Sequence, residues 1–285
     1  MTAMIPIILS IGPVVIYSFS VLLVVAFLLG SFMFWEKGRE EHYDEVELFD
    51  LILMAAIWGL VGARLGYVLV HFDDFGLNLW YWLAVWQKPG FFWLGIFIGA
   101  GAAVVRFCKK MDWDVFKVLD LLTIGVSLGQ AVVNLGMFLG GGTAGKMTNL
   151  PTGMVFPGLF ERRHPVGLYG FVIWMLVFWL LWWLEGKYRK FEWYQKHKGD
   201  ARPGFLVFSY LALLGVVGFL LGLVSESVWV VYSINVNLLL RLGLIIVGIS
   251  GLLIRSGIKW SDIGKLVTIK PKLVNGKSSS NGKLR

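Results

Sequence analysis

The sequence predicts an all-α, polytopic membrane protein with seven transmembrane helices, its N-terminus outside and its C-terminus cytoplasmic. Three observations lead there. Apolar residues make up 57% of the 285 residues and charged residues 15%, against roughly 45–50% and 25% in a soluble domain. Mean hydropathy is +0.73. Apolar runs close to the roughly 20 residues that cross a bilayer recur along the chain, and Lys and Arg gather in alternate loops. An ordinary cytosolic globule, a disordered chain and a disulfide scaffold are all excluded. The net charge of +8 would suit nucleic acid only on a soluble domain, so no nucleic-acid partner is expected. Cys108 is the single cysteine and can form no internal disulfide. His42, His71, His164 and His197 are scattered without ligand spacing, so no metal site is expected.

The expected spans are residues 14–34, 49–70, 91–107, 115–139, 166–184, 205–224 and 238–254. The first lacks a basic leader and is too long for a signal h-region. The third is the shortest. Residues 79–86 are aromatic-rich and suit an interfacial helix, with indole rings at headgroup level. Residues 1–270 make one membrane domain. Residues 271–285, rich in Lys, Ser, Asn and Gly, read as a basic disordered tail held near anionic headgroups. No repeat of useful period stands out. The spacings Gly62/Gly66, Gly95/Gly99, Gly125/Gly129 and Gly218/Gly222 mark close approach between helices.

Orientation follows from the cations of the short loops. Lys37 and Arg39, then Arg106, Lys109 and Lys110, then six between residues 187 and 202, then eight from Arg255 onward all fall on one side. The other side holds Lys88, Lys146, Arg162 and Arg163. The richer side is the cytoplasmic one.

Ionisable groups inside a span cost about 2.5–3.5 kcal/mol and require a partner, a watery cavity or a function. Arg64 lies deep in the second span, in G-A-R-L-G-Y-V. It anchors an anionic headgroup, with Tyr67 one turn away, or it pairs with a carboxylate such as Asp120; the sequence leaves both open. Gln130 and Asn134 share one face of the fourth span and either bind a headgroup or join helices. Lys117 and Arg241 lie near span ends and are expected to snorkel. The loop 140–165 opens with G-G-G-T-A-G, whose backbone N–H groups are free to meet a ligand. It closes with E-R-R-H-P, where Glu161, Arg162, Arg163 and His164 form either a phosphate-reading cluster or the flanking charges of a helix. Imidazole suits proton transfer near neutrality, although a lone interfacial histidine is also a common structural residue.

Several stretches, in order, resemble the prolipoprotein diacylglyceryl transferases of bacterial membranes. They are I-G-P at residues 11–13, G-A-R-L-G-Y-V-L at 62–69, L-P-T-G-M-V-F-P at 150–157 and R-H-P-x-x-L-Y at 163–169. The resemblance implies a multi-pass protein of the bacterial plasma (inner) membrane, acting as a monomer without a cofactor. It would transfer a diacylglyceryl group from phosphatidylglycerol to the lipobox cysteine thiol of a prolipoprotein. It implies catalytic roles for His164 and Arg163, and lipid or headgroup contacts for Arg64, Tyr67, Asn134, Gly145 and Tyr169.

The chain departs from the family pattern at Leu94, where the family has histidine, and at Asn134, Met137 and Gly142, where it has Arg, Asn and Glu. Gly218 and Gly222 replace an Arg and a Glu of the sixth span, Phe19 replaces a tyrosine, and Gly167 and Gly170 replace Gln and Glu. The alternative is therefore a non-catalytic lipid- or lipoprotein-binding relative. The sequence leaves open whether Arg241 or Glu226 supplies the missing charge.

Overall fold

The computed structural model describes residues 4–12, 14–188, 202–226, 230–231 and 234–256. Six of its helices are long and apolar enough to cross a membrane. They are α1 (Ser18–Glu40), α2 (Glu45–Val70), α6 (Val115–Leu139), α7 (Val166–Glu185), α8 (Phe205–Val224) and α9 (Val236–Ser256). The expected third span is the helix α5 (Trp93–Met111), but Arg106, Lys109 and Lys110 in its last turns keep it out of that set. Two short helices, α3 (Phe72–Phe75) and α4 (Leu79–Leu83), lie between α2 and α5. The expected interfacial helix is thus shorter than 79–86. Asn78 caps its start by accepting from Trp80 N at 3.1 Å, and Trp86 falls beyond its end.

The protein is mostly helical, and among the described residues strands occur before α1 and in the segments that follow α6 and α8. The first expected span begins as a hairpin of β1 (Ile7–Ile11) and β2 (Val14–Tyr17), because Gly12 turns the chain with φ +57° before the helix starts at Ser18. A three-stranded sheet follows α6, with β5 (Arg162–Pro165) between β3 (Ala144–Met147) and β4 (Met154–Val155). A last pair, β6 (Val230–Val231) and β7 (Ile234–Asn235), precedes α9. The tail expected after Pro271 and the basic loop at 189–201 lie outside the described residues.

Helix α6 is the hub. It packs against α1, α5, α7 and α8, and half of its most apolar window is buried. Small residues make this possible. Gly125 meets the backbone of Gly30 on α1, and Gly167 on α7 meets the backbone of Asn134 and Phe138. A Cβ at any of these would collide with backbone.

No repeat of useful period stands out in the sequence, but the structure shows a pair of related hairpins. Hairpin α1–α2 recurs as hairpin α5–α6 at an offset of 70 residues. Asp44 and Asp114 both cap the second helix, each accepting from the N–H groups two and three residues on. His42 and Asp112 are the two non-glycine residues with left-handed φ among those described, and each lies two residues before its cap. Tyr43 and Trp113, between these positions, pack against each other with ring centroids 4.4 Å apart and planes tilted by 51°. At the same offset stand Asp50/Asp120, Leu51/Leu121, Gly59/Gly129, Leu65/Leu135, Gly66/Gly136 and Leu69/Leu139. The hairpins interlock crosswise, α1 on α6 and α2 on α5. In the second pair Gly62 sits against Gly95 and Gly99. The two copies run in the same direction.

Candidate functional site

The polar residues of loop 140–165 come together on the three-stranded sheet at one end of the bundle. The sheet rests on a small core of Met4, Phe138 and Phe156 and is tied to the end of α8. Gly145 bridges Ser225, and a Cβ there would strike Val224 O. Lys146 Nζ donates to Leu223 O at 2.8 Å. Arg163 on β5 donates through Nη1 to Gly145 O at 3.3 Å and to Glu226. Its Nη2 lies 3.5 Å from Glu161. Hydrogen bonding to Glu226 holds the guanidinium above the ordinary arginine pKa. The Arg163 Nε–H is buried and has no hydrogen-bond partner among the described residues.

His164 is the neighbour of Arg163 on the same strand. Its Nδ1 lies 3.4 Å from Tyr169 Oη, which donates to Thr152 Oγ1 at 2.9 Å. With its proton committed to Thr152, the Tyr169 oxygen accepts from Nδ1–H. This arrangement leaves Nε2 as the acceptor nitrogen, a tautomer assigned from the hydrogen-bond network. Gly167 N donates to Thr143 Oγ1 at 3.2 Å and fixes the entry into α7. Below it, Asn134 Nδ2 donates to Gln130 O at 2.7 Å, and its Oδ1 lies against Gly170. Asn134 therefore satisfies its own helix and fills the space over a glycine. Five of the sequence candidates, Arg163, His164, Tyr169, Gly145 and Asn134, are thus neighbours through this loop and the start of α7.

Arg64 and Tyr67 form a separate cluster. Arg64 is buried, and its Nε donates to Trp82 O at 2.8 Å. Nη1 donates to Lys88 O at 2.8 Å and Gly90 O at 3.1 Å, and Nη2 to Tyr81 O at 2.9 Å. Four of the five guanidinium N–H groups hold α4 and the segment that joins it to α5. The Tyr67 ring lies on the Gly90 backbone and 4.3 Å from the His71 ring. The pairing of Arg64 with Asp120, one of the two readings open from the sequence, does not occur. Asp120 instead accepts from Gly204 N at 2.6 Å and Val207 N at 2.9 Å, capping α8 at the opposite end of the bundle.

Arg241 is the residue that sequence reasoning placed wrongly. It does not snorkel outward. Its side chain crosses from α9 to α8, lies over Gly218 and Gly222, and donates to Gly218 O. It makes no ion pair with a carboxylate among the described residues. The Gly218/Gly222 spacing is therefore a notch for a guanidinium, and the backbones of α8 and α9 meet instead at Gly215 and Gly248. The signal was present as a cation one and a half turns into a span facing two glycines, but the helix pairing was needed to read it. Met137 and Gly142, two of the departures from the family pattern, are exposed, and Leu94 is half-buried.

These features define a polytopic membrane protein whose polar side chains collect under a loop sheet at one end of the bundle. The chain belongs to the prolipoprotein diacylglyceryl transferase family, whose model matches residues 6–254. It is 29% identical over 191 residues to the phosphatidylglycerol–prolipoprotein diacylglyceryl transferase of Clostridium tetani (strain Massachusetts / E88), covering 62% of this chain and 73% of that protein. It is 36% identical over 171 residues to the protein of the same name from Wolbachia pipientis subsp. Culex pipiens (strain wPip), covering 58% and 63%. With the Acinetobacter baylyi counterpart it shares 29% over 256 residues, 80% and 92% of the two chains.

Proposed function

We propose that this chain transfers a diacylglyceryl group from phosphatidylglycerol to the lipobox cysteine thiol of a prolipoprotein. The observation that carries the reading is the convergence of Arg163 and His164 on the loop sheet with Tyr169 at the start of α7, in a chain of this family. The thiol, with a pKa of about 8.5, must first lose its proton. His164 Nε2 is the acceptor, with Tyr169 and Thr152 fixing the ring through Nδ1. The thiolate sulfur then bonds to the terminal glycerol carbon of the diacylglyceryl group. That carbon's bond to the phosphate oxygen breaks, and glycerol phosphate leaves with the electron pair. Charge developing on the phosphate is met by Arg163, with Lys146 beside it and Arg241 reaching the same end of α8. Asn134 and Gly145 shape the floor for the headgroup.

Helix α5 is the seventh span in this reading, since it lies along α2 over the glycine contacts. The loop sheet faces outward, the C-terminus is cytoplasmic, and the chain is a monomer in the bacterial plasma membrane. A reporter fused after Lys283 tests the orientation: export of the reporter would overturn it. Chemistry is tested with purified protein, phosphatidylglycerol and a lipobox peptide. Thioether-linked diacylglyceryl peptide is the expected product. Its absence under forcing conditions, with the protein folded, would leave the non-catalytic relative as the reading.

A further inference from the structure

A second feature lies away from the loop sheet, on the outer face of α2 and α5. A cleft of about 660 Å³ runs along the two helices past Trp58, Leu65 and Ile98. It continues into a cleft of about 850 Å³ at the end of α5, the two sharing Met54, Ala102 and Arg106. Arg106, Lys109 and Lys110 line that end. All three are exposed, and none makes an ion pair among the described residues. The glycines of the α2–α5 contact leave the trough shallow-walled, and Gly101 opens onto free space.

We infer that this trough holds one acyl chain of an anionic phospholipid whose headgroup sits among Arg106, Lys109 and Lys110. The dimensions match. From Gly95 to Arg106 is eleven residues, about 16 Å of helix, and one leaflet contributes about half of a hydrocarbon core roughly 30 Å thick. The wall is apolar where a chain would lie and cationic where a phosphate would lie. The lipid comes from the leaflet on the side of the Asp44 and Asp114 turns, the end opposite the loop sheet, so it is not the reacting lipid. A neutral or zwitterionic lipid would use the apolar wall but gain nothing from three unpaired cations.

The test is photocrosslinking in nanodiscs of equal phosphatidylglycerol and phosphatidylcholine, with Ile98→photoleucine in the full chain. Adducts are identified by mass spectrometry. Phosphatidylglycerol should exceed phosphatidylcholine among the adducts by about tenfold or more, given the attraction each surface cation exerts. Arg106→Gln/Lys109→Gln/Lys110→Gln should erase the preference while leaving adducts in place. Gly101→Trp, which fills open space rather than packed structure, should remove lipid adducts. Equal capture of both lipids by the unsubstituted cationic cluster would overturn the inference and leave an ordinary annular lipid. Crosslinking chiefly to a second copy of the chain would also overturn it. Because these residues lie outside the loop sheet, thioether formation should survive every variant, which separates failure here from failure of the transferase reading.

Discussion

The two hairpins carry different polar residues at one equivalent place, Arg64 in α2 and Asn134 in α6, and the surroundings explain the difference. After α2 the chain makes a long connection to α5, and its carbonyls turn inward because α3 and α4 are too short to satisfy them. Arg64 is the donor that satisfies four of them. After α6 the chain builds a sheet that satisfies its own backbone, and α7 closes on Asn134 through Gly167 and Gly170. A small amide fits there. Asp50 and Asp120 differ in the same way. Asp50 on the peripheral copy is exposed, whereas Asp120 on the central copy is buried and caps α8. One hairpin has become a frame and the other a hub, and the proposed chemistry sits on the hub.

The sharpest way to break this comparison is Arg64→Met. It leaves four part-buried carbonyls without their donor, and we expect a loss on the order of 3 kcal/mol, since bonds to charged groups are worth about 1.5–3 each. Thermal unfolding and hydrogen exchange across residues 76–90 would register it. Arg64→Lys should recover less than half, because one ammonium cannot reproduce the planar fork. Wild-type stability in either variant would refute the framing role. Next in size is Asp120→Asn, which replaces one of the two oxygens accepting from Gly204 N and Val207 N with an amide NH2 and costs about 1–2 kcal/mol, while the equivalent Asp50→Asn should stay within about 0.5 kcal/mol. Combined with Arg64→Met, the Asp120→Asn effect should add, since the two side chains share no contact. Rescue of one by the other would instead restore the ion pair that the structure lacks. Between the two aspartates falls Asn134→Ala, with about 1 kcal/mol expected from a single neutral hydrogen bond.

Spans and breaks were legible because apolar length and Gly/Asp punctuation are local signals. The hub position of α6 and the repeat were not, because the related pairs are separated by unrelated side chains. Only the shared turn at His42 and Asp112, with its Asp cap, exposes the kinship. Arg64 was recognised as a buried cation but not as a backbone anchor, since carbonyls leave no mark in a sequence. The strand start at residues 7–17 was missed because β-branched apolar residues read equally as a span. In the site, E-R-R-H-P and G-G-G-T-A-G were found from composition. The partner of Arg163 and the seat of Arg241 both depended on where the end of α8 meets β3 and α9.

Lys146 and Arg241 sharpen the hub side of the comparison. Arg241→Gln should lower transferase turnover with little change in unfolding temperature, because the glycine notch accepts either side chain. Equal turnover of the variant and the parent would remove Arg241 from the phosphate site and leave it a packing residue.

The most direct test of the account is complementation of a bacterial strain lacking its own diacylglyceryl transferase. The intact chain should restore lipoprotein modification and growth. Arg163→Gln should insert and fold, judged by membrane level and unfolding temperature, yet fail to restore either. An intact chain that reaches the membrane folded and leaves prolipoproteins unmodified would contradict the central claim.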